Sequence, residues 1–222
     1  MKTNKSIKIV KDYGHYSVTG PVKLPISLID EKVQEFIHEG FKFPSGRYSA
    51  LYLGGIKNSK DLLVRISSNC QWAFYFGSLL CDCKWQLEES KRRISDENLG
   101  LIIFAHDQNG KGVSIENHWK IYSEGQKRGL ELVVDAYKQL GFQEDYRNYD
   151  DIVDVLKHYK VENIRLLTNN PNRIRFLKKK GFSVKIENLE QPINPYLKQE
   201  YRSKKWKLKH LLKISDYLLK KW

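Results

Sequence analysis

Leu99-Gly100-Leu101-Ile102-Ile103-Phe104-Ala105 runs without a polar side chain, and an unbroken apolar stretch of this kind suits a buried strand. It stops at His106-Asp107-Gln108-Asn109-Gly110-Lys111-Gly112. Two glycines and a lysine behind a buried strand can present backbone N–H groups and a cation to phosphate, although the spacing is not that of a P-loop. Upstream, alternation over 48–53 and 62–67 predicts strands, with Gly54-Gly55 and Asn58-Ser59 as turns. A polar, lysine-bearing helix is expected over 85–94. Downstream, the pattern predicts helices over 121–140 and 150–159, a strand over 163–167, a helix opened by Pro171 and a strand over 182–186. The expected class is α/β (mixed α+β) with a β-rich N-terminal half and no internal repeat.

At 222 residues and 41% apolar content, the chain suits one domain with a substantial core, or a domain plus a tail, and wholesale disorder is excluded. Residues 1–11 carry lysines without a following apolar stretch. No uncharged apolar run reaches the roughly 20 residues of a membrane span, so a cytoplasmic protein without leader or anchor is expected. The net charge of +13 points to an anionic partner. Between Tyr196 and Trp222, nine Lys and Arg residues oppose Glu200 and Asp216, a net of +7. Leu208, Leu211, Leu212, Leu218, Leu219 and Trp222 recur there at helical spacing. They predict a basic amphipathic helix in an extension, 191–222, behind a domain spanning 1–190. Docking on protein is the commoner fate of such a helix, and nucleic acid is the less favoured partner.

Three cysteines fall as Cys70, then Cys81-Asp82-Cys83. Thiolates two residues apart on an extended segment can converge on one cation when a third arrives from a neighbouring strand, whereas a disulfide between them is strained. Three protein ligands rather than four describe a catalytic zinc site with an open position for water. The competing reading is three buried apolar thiols. Asp145 and Arg147 project to the same side of an extended segment, giving one group that can move protons and one that can meet phosphate, or a surface ion pair. Thr168-Asn169-Asn170-Pro171 joins a strand to a helix, where Thr168 and the helix amides form an anion site or a simple cap.

These blocks together resemble the GTP cyclohydrolase II family: Cys70-x10-Cys81-Asp82-Cys83, Gln86-Leu87, Gln108-x-Gly110-Lys111, Leu140-Gly141-Phe142-x-x-Asp145-x-Arg147 and Arg165-Leu166-Leu167-Thr168-Asn169-Asn170-Pro171. The match is strongest over 65–184, and Tyr201-Arg202-Ser203-Lys204 with His210-Leu211-Leu212 resembles the family's closing segment. The resemblance implies opening of the imidazole ring of GTP, with release of formate and pyrophosphate, at the start of riboflavin biosynthesis. It implies Zn2+ on Cys70, Cys81 and Cys83, Mg2+ with the nucleotide, and a homodimer. Asp145 is implied as general base, Arg147 as nucleophile or α-phosphate clamp, and Tyr122 as a group near the attacked ring. Arg65, Ser68, Gln86, Asn109, Gly110, Lys111, Thr168 and Arg173 are implied contacts to the nucleotide. His106 and His118 are candidate supporting donors.

The chain departs from the family pattern at Ser67, Asn69, Trp72-Ala73-Phe74, Leu80, Lys84, Asn109, Lys111 and Val133. A carboxylate accepts from both N1–H and the exocyclic amine of guanine, whereas Asn offers one carbonyl oxygen. An Asn109 facing the base therefore weakens guanine discrimination. Two further outcomes stay open: a zinc-bearing nucleotide- or nucleic-acid-binding protein without catalysis, and an enzyme that releases pyrophosphate alone or a formylated ring-opened product.

Overall fold

Alternating side chains and short turns build an antiparallel meander from β1 (Val10–Asp12), β2 (Ser17–Ser27), β3 (Val33–Phe43) and β4 (Gly46–Leu53). The structure, a computed structural model, describes residues 10–130 and 132–221. Most of the 1–11 stretch read for a leader, and Trp222 of the tail, lie outside the described residues. β4 pairs antiparallel with β6 (Gly100–Ala105). Beyond it the sheet is parallel through β5 (Leu62–Ser68), β7 (Asn163–Leu167) and β8 (Ser183–Glu187), in the order β1-β2-β3-β4-β6-β5-β7-β8.

The apolar run of β6 is covered on both faces, as expected of a parallel sheet. Leu101 and Ile103 share a core with Val64 and Ile66, with Ile152 and Leu156 of α5 (Asp150–His158), and with Leu177 of α6 (Pro171–Lys179). Ile102, Leu63 and Leu167 point the other way and pack with Ile94 of α2 (Cys83–Glu97). β5 reaches β6 through α1 (Gln71–Phe76) and α2. The return to β7, on the other side of β5, runs through α3 (Ile115–Lys127), α4 (Val133–Gln139) and α5. The connections therefore part at β5, and a crevice opens beyond the carboxyl ends of β6, β5 and β7, the usual ligand position in such sheets.

Several sequence expectations need correction. The single helix over 121–140 is two, because the chain turns at Gly129 in the left-handed region (φ 61°). α1 forms where no helix was expected, and the helix expected from residue 85 starts at Cys83. The basic tail is not one amphipathic helix. α7 (Lys198–Arg202) runs on as a π-helical turn, Ser203–Lys207, the chain reverses at Lys209 (φ 54°), and α8 (Asp216–Lys221) follows after an irregular stretch. Tertiary partners replace helical ones in that stretch. Leu211 N–H donates to the Asn169 carbonyl at 2.8 Å, and the N–H groups of Lys213 and Ile214 donate to the Glu190 carboxylate at 2.7 and 2.8 Å. Leu197, Tyr201, Leu212 and Leu219 bury one another beneath it. Among the described residues no helix is long and apolar enough to cross a membrane.

Candidate active site

Loops leaving β5, β6 and β7 meet the start of α2 and the tail around a cavity of about 130 Å³. Cys70 follows β5 and precedes α1, Cys81 lies in a bend, and Cys83 is the first residue of α2. The cysteine pair therefore turns into a helix rather than lying extended. Even so, the three Sγ atoms converge within 4.8 Å of one another, with Cys70 and Cys81 at 3.6 Å. Thiolates held tetrahedrally at about 2.3 Å from zinc lie about 3.8 Å apart, close to the Cys70–Cys81 separation, so the donor set suits that ion. Hydrogen bonds from Cys70 and Cys81, against burial, drive the Cys83 thiol well below its usual range. Cys70 is pushed up to about 12: its bond to Cys81 opposes the rise, while its bond to Cys83 and burial prevail. A cluster in which one thiol is already favoured as thiolate is prepared for a cation.

The same cavity is lined by a group of cations. Arg65, 7% exposed on β5, donates to the Leu167 carbonyl at 2.9 Å and to Gln86 Oε1 at 2.5 Å. Burial, then the nearby Arg173 guanidinium, pulls its pKa down to about 9. Gln86 donates on to Asp82 Oδ2 at 2.8 Å, and Asp82 Oδ1 accepts from Lys204 of the tail at 2.6 Å. Arg173 donates to the Ile66 carbonyl at 2.9 Å. Arg65 Nε, Arg173 Nε, Lys111 Nζ and Ser68 Oγ are buried without a hydrogen-bond partner among the described residues. Donors left bare around a cavity favour an anion, because an unpaired buried polar group costs about 1–3 kcal/mol.

The loop after β6 depends on glycine. Gly110 and Lys111 are both left-handed (φ 52° and 60°), and a Cβ on Gly110 would come within 2.8 Å of the His118 ring. Gly112 (φ 87°) lets the loop lie against Tyr146 and Arg147, whose backbone a Cβ would approach to 2.9 and 3.0 Å. Tyr146 N–H then donates to the Lys111 carbonyl at 2.8 Å. Lys111 and Arg147 line the cavity together. Asp145 does not line it: its Oδ1 accepts from Arg147 N–H (3.0 Å) and Nε (2.8 Å), and its Oδ2 from Nη2 (2.5 Å). Burial favours a neutral Asp145, but Arg147 outweighs it and holds the carboxyl below its usual range.

Other expected site residues are distributed unevenly. Ser68, Gln86, Gly110, Thr168 and Tyr122 line the cavity. Thr168 does so without free helix amides beside it. Asn170 Oδ1 caps α6 by accepting from the N–H groups of Asn172 (2.9 Å) and Arg173 (3.4 Å), so the anion site imagined on those amides is a cap. Asn109 is likewise turned away: its Oδ1 accepts from Gln71 N–H (3.1 Å) and its Nδ2 donates to His118 Nδ1 (3.4 Å). It is 4% exposed and does not line the cavity. His118 lies on α3 with its ring against Trp72 (4.7 Å) and Tyr122 (4.9 Å). His106 hydrogen-bonds Ser49 at 2.7 Å, outside the cavity wall.

Sequence reading missed Tyr137 and Glu200 as cavity residues, named Lys204 and His210 only within the closing segment, and named Trp72 only as a departure from the family pattern. Lys204–Glu200, an i,i+4 pair at 3.4 Å, is the local signal that could have raised the tail as a wall of the site.

Comparison with known proteins agrees with this geometry. The profile for GTP cyclohydrolase II matches residues 30–189. A GTP cyclohydrolase-2 from Archaeoglobus fulgidus is 39% identical over 184 residues, covering 80% of this chain and 46% of that protein. One from Histophilus somni is 37% identical over 147 residues, covering 65% of this chain and 67% of the relative. One from Buchnera aphidicola is 37% identical over 165 residues, covering 73% and 83%. With the profile spanning β3 to β8, the thiol cluster and the loops that leave β5, β6 and β7, the chain belongs to the GTP cyclohydrolase II family.

Proposed function

We propose that this chain is a zinc-dependent cyclohydrolase that opens the imidazole ring of GTP, or a close purine analogue, and releases formate and pyrophosphate. The observation that carries the reading is one cavity lined both by three convergent thiols and by unpartnered cationic donors. Cys70, Cys81 and Cys83 would hold zinc, which when bound supplies Lewis acidity that ionises water near neutral pH and stabilises developing negative charge. Lys111, Arg147 and Arg173 bind the triphosphate, with Mg2+ arriving as part of the substrate. Tyr122, whose phenol burial keeps protonated, donates a hydrogen bond beside the attacked ring. Asp145 works through Arg147: with both carboxylate oxygens on that guanidinium it positions the clamp, which its placement supports better than a general-base role.

The test is metal analysis together with product masses. Zinc-replete protein is expected to carry close to one zinc per chain and to give formate, pyrophosphate and a ring-opened nucleotide from GTP and Mg2+. Cys81→Ser is expected to lose both the zinc and the formate. Wild type purified with zinc present but carrying none would sink the zinc reading. Pyrophosphate without ring opening would move the endpoint to the phosphate alone.

A further inference from the structure

The cavity wall contains two carboxylates, and they differ in what they lack. Asp82 is satisfied at both oxygens, by Lys204 and by Gln86. Glu200, 6% exposed on α7, meets Lys204 at 3.4 Å through Oε1. Its Oε2 is buried and accepts nothing among the described residues. A carboxylate oxygen withdrawn from water without a donor is costly, and no group among the described residues compensates it.

Its surroundings define the missing donor. Glu200 lines the same cavity as Tyr122 and Tyr137, and after burial its charge is the leading influence holding both phenols above their usual range. Trp72, Tyr122 and His118 form a mutually packed aromatic wall, with ring centroids 4.7 to 4.9 Å apart, suited to a planar ligand. A phosphate is repelled by a carboxylate, so the missing donor is the N–H edge of a heterocycle. Asn109 cannot supply the complementary acceptor because its amide is engaged by Gln71 and His118.

We propose that Glu200 reads the base: its carboxylate accepts from the adjacent N1–H and exocyclic amine of a guanine-type purine, so that the C-terminal tail sets base specificity. The assignment rests on the purine-nucleotide reading of the cavity. Adenine presents a lone pair at N1, which the carboxylate repels, and hypoxanthine keeps N1–H but lacks the amine.

The test compares kcat/KM and calorimetric binding for GTP, ITP and ATP in wild type, Glu200→Gln and Glu200→Asp. Wild type is expected to prefer GTP over ITP by about ten- to a hundredfold, the worth of one charge-assisted hydrogen bond in a closed site. Glu200→Gln is expected to reduce that ratio to within a few-fold, mainly by losing GTP, while zinc content is retained. Glu200→Asp, which keeps the charge opposite Lys204, is expected to fall between and serves if the Gln variant does not fold. Equal use of GTP and ITP by wild type, or an unchanged ratio in a folded Glu200 variant, overturns the assignment. If wild type opens no ring at all, the proposed function falls, and the calorimetric GTP/ITP preference still decides Glu200.

Discussion

Asp145 and Arg147 illustrate how a common ion pair becomes a device. On a solvated surface such a pair contributes little, but here Arg147 keeps only 14% of its side chain exposed and its fork is closed by one carboxylate. Asp145→Asn and Arg147→Lys are therefore expected to fail in the same way, each lowering kcat/KM for ring opening at least tenfold, because the bidentate fork is lost in both. The double variant should fall well short of the summed losses, with a coupling of about 0.5–3 kcal/mol in a double-mutant cycle. Strict additivity would separate the two residues. His210 makes a second case at this scale. Burial, then Lys204, Lys111, Arg147 and Arg173, push its pKa down to about 2. The unfolded chain binds a proton at this residue below about pH 6.5 while the folded chain refuses it, so stability falls as pH drops from there, by about 1.4 kcal/mol per unit at the limit. His210→Asn is expected to flatten the decline in urea-unfolding free energy between about pH 6 and 4. A slope equal to wild type would remove His210 as its source.

At the scale of elements, two segments converge on the crevice by different means. The loop after β6 docks through Gly112, whose left-handed backbone and close approach to Tyr146 both exclude a side chain. Gly112→Ala is expected to cost about 1–3 kcal/mol in denaturant unfolding and to raise KM, since Lys111 moves with the loop. The tail docks through a small apolar cluster of its own. Leu219 is fully buried in it, and its carbonyl accepts from Arg202 Nε at 2.9 Å. Leu219→Ala should loosen the tail by about 2–5 kcal/mol while leaving the sheet intact. Faster tryptic cleavage after the exposed Lys207 and Lys209, with a raised KM and an unchanged main thermal transition, is the expected signature. Unchanged cleavage would mean that the cluster does not hold the tail.

For the whole molecule, the excess positive charge is partly structural. Lys204 is bound to Asp82 inside the cavity wall, and Lys205 reaches the Ile214 carbonyl and Asp216. The tail is thus folded into the protein rather than presented as a free basic arm. The field of a +13 chain should still draw a triphosphate toward the crevice. Raising salt from about 0.05 to 0.5 M is expected to lower kcat/KM several-fold with kcat nearly unchanged, because screening acts on the approach more than on the closed site. A kcat that falls in parallel would place the salt effect within the chemistry instead.

The strand over 163–167 and the buried run ending at Ala105 were legible because strand formation there follows local period and apolarity. The three cysteines were legible because thiols are few and their chemistry is narrow. The tail was misread for the same reason: helical spacing is a local signal, and Leu211, Lys213 and Ile214 bond instead to Asn169 and Glu190. Side-chain direction was also hidden. Asn109 sits in the motif that implied base contact, yet its amide faces Gln71 and His118, whereas Glu200 carried no motif and reached the cavity. Residue type and spacing determined the thiol set and the strands that carry the site, and the family resemblance added most of its nucleotide-facing residues, though not Tyr137 or Glu200. Which members face one another was decided only in three dimensions, because contacts such as Lys204 to Asp82 join residues 122 positions apart and have no local trace in the chain.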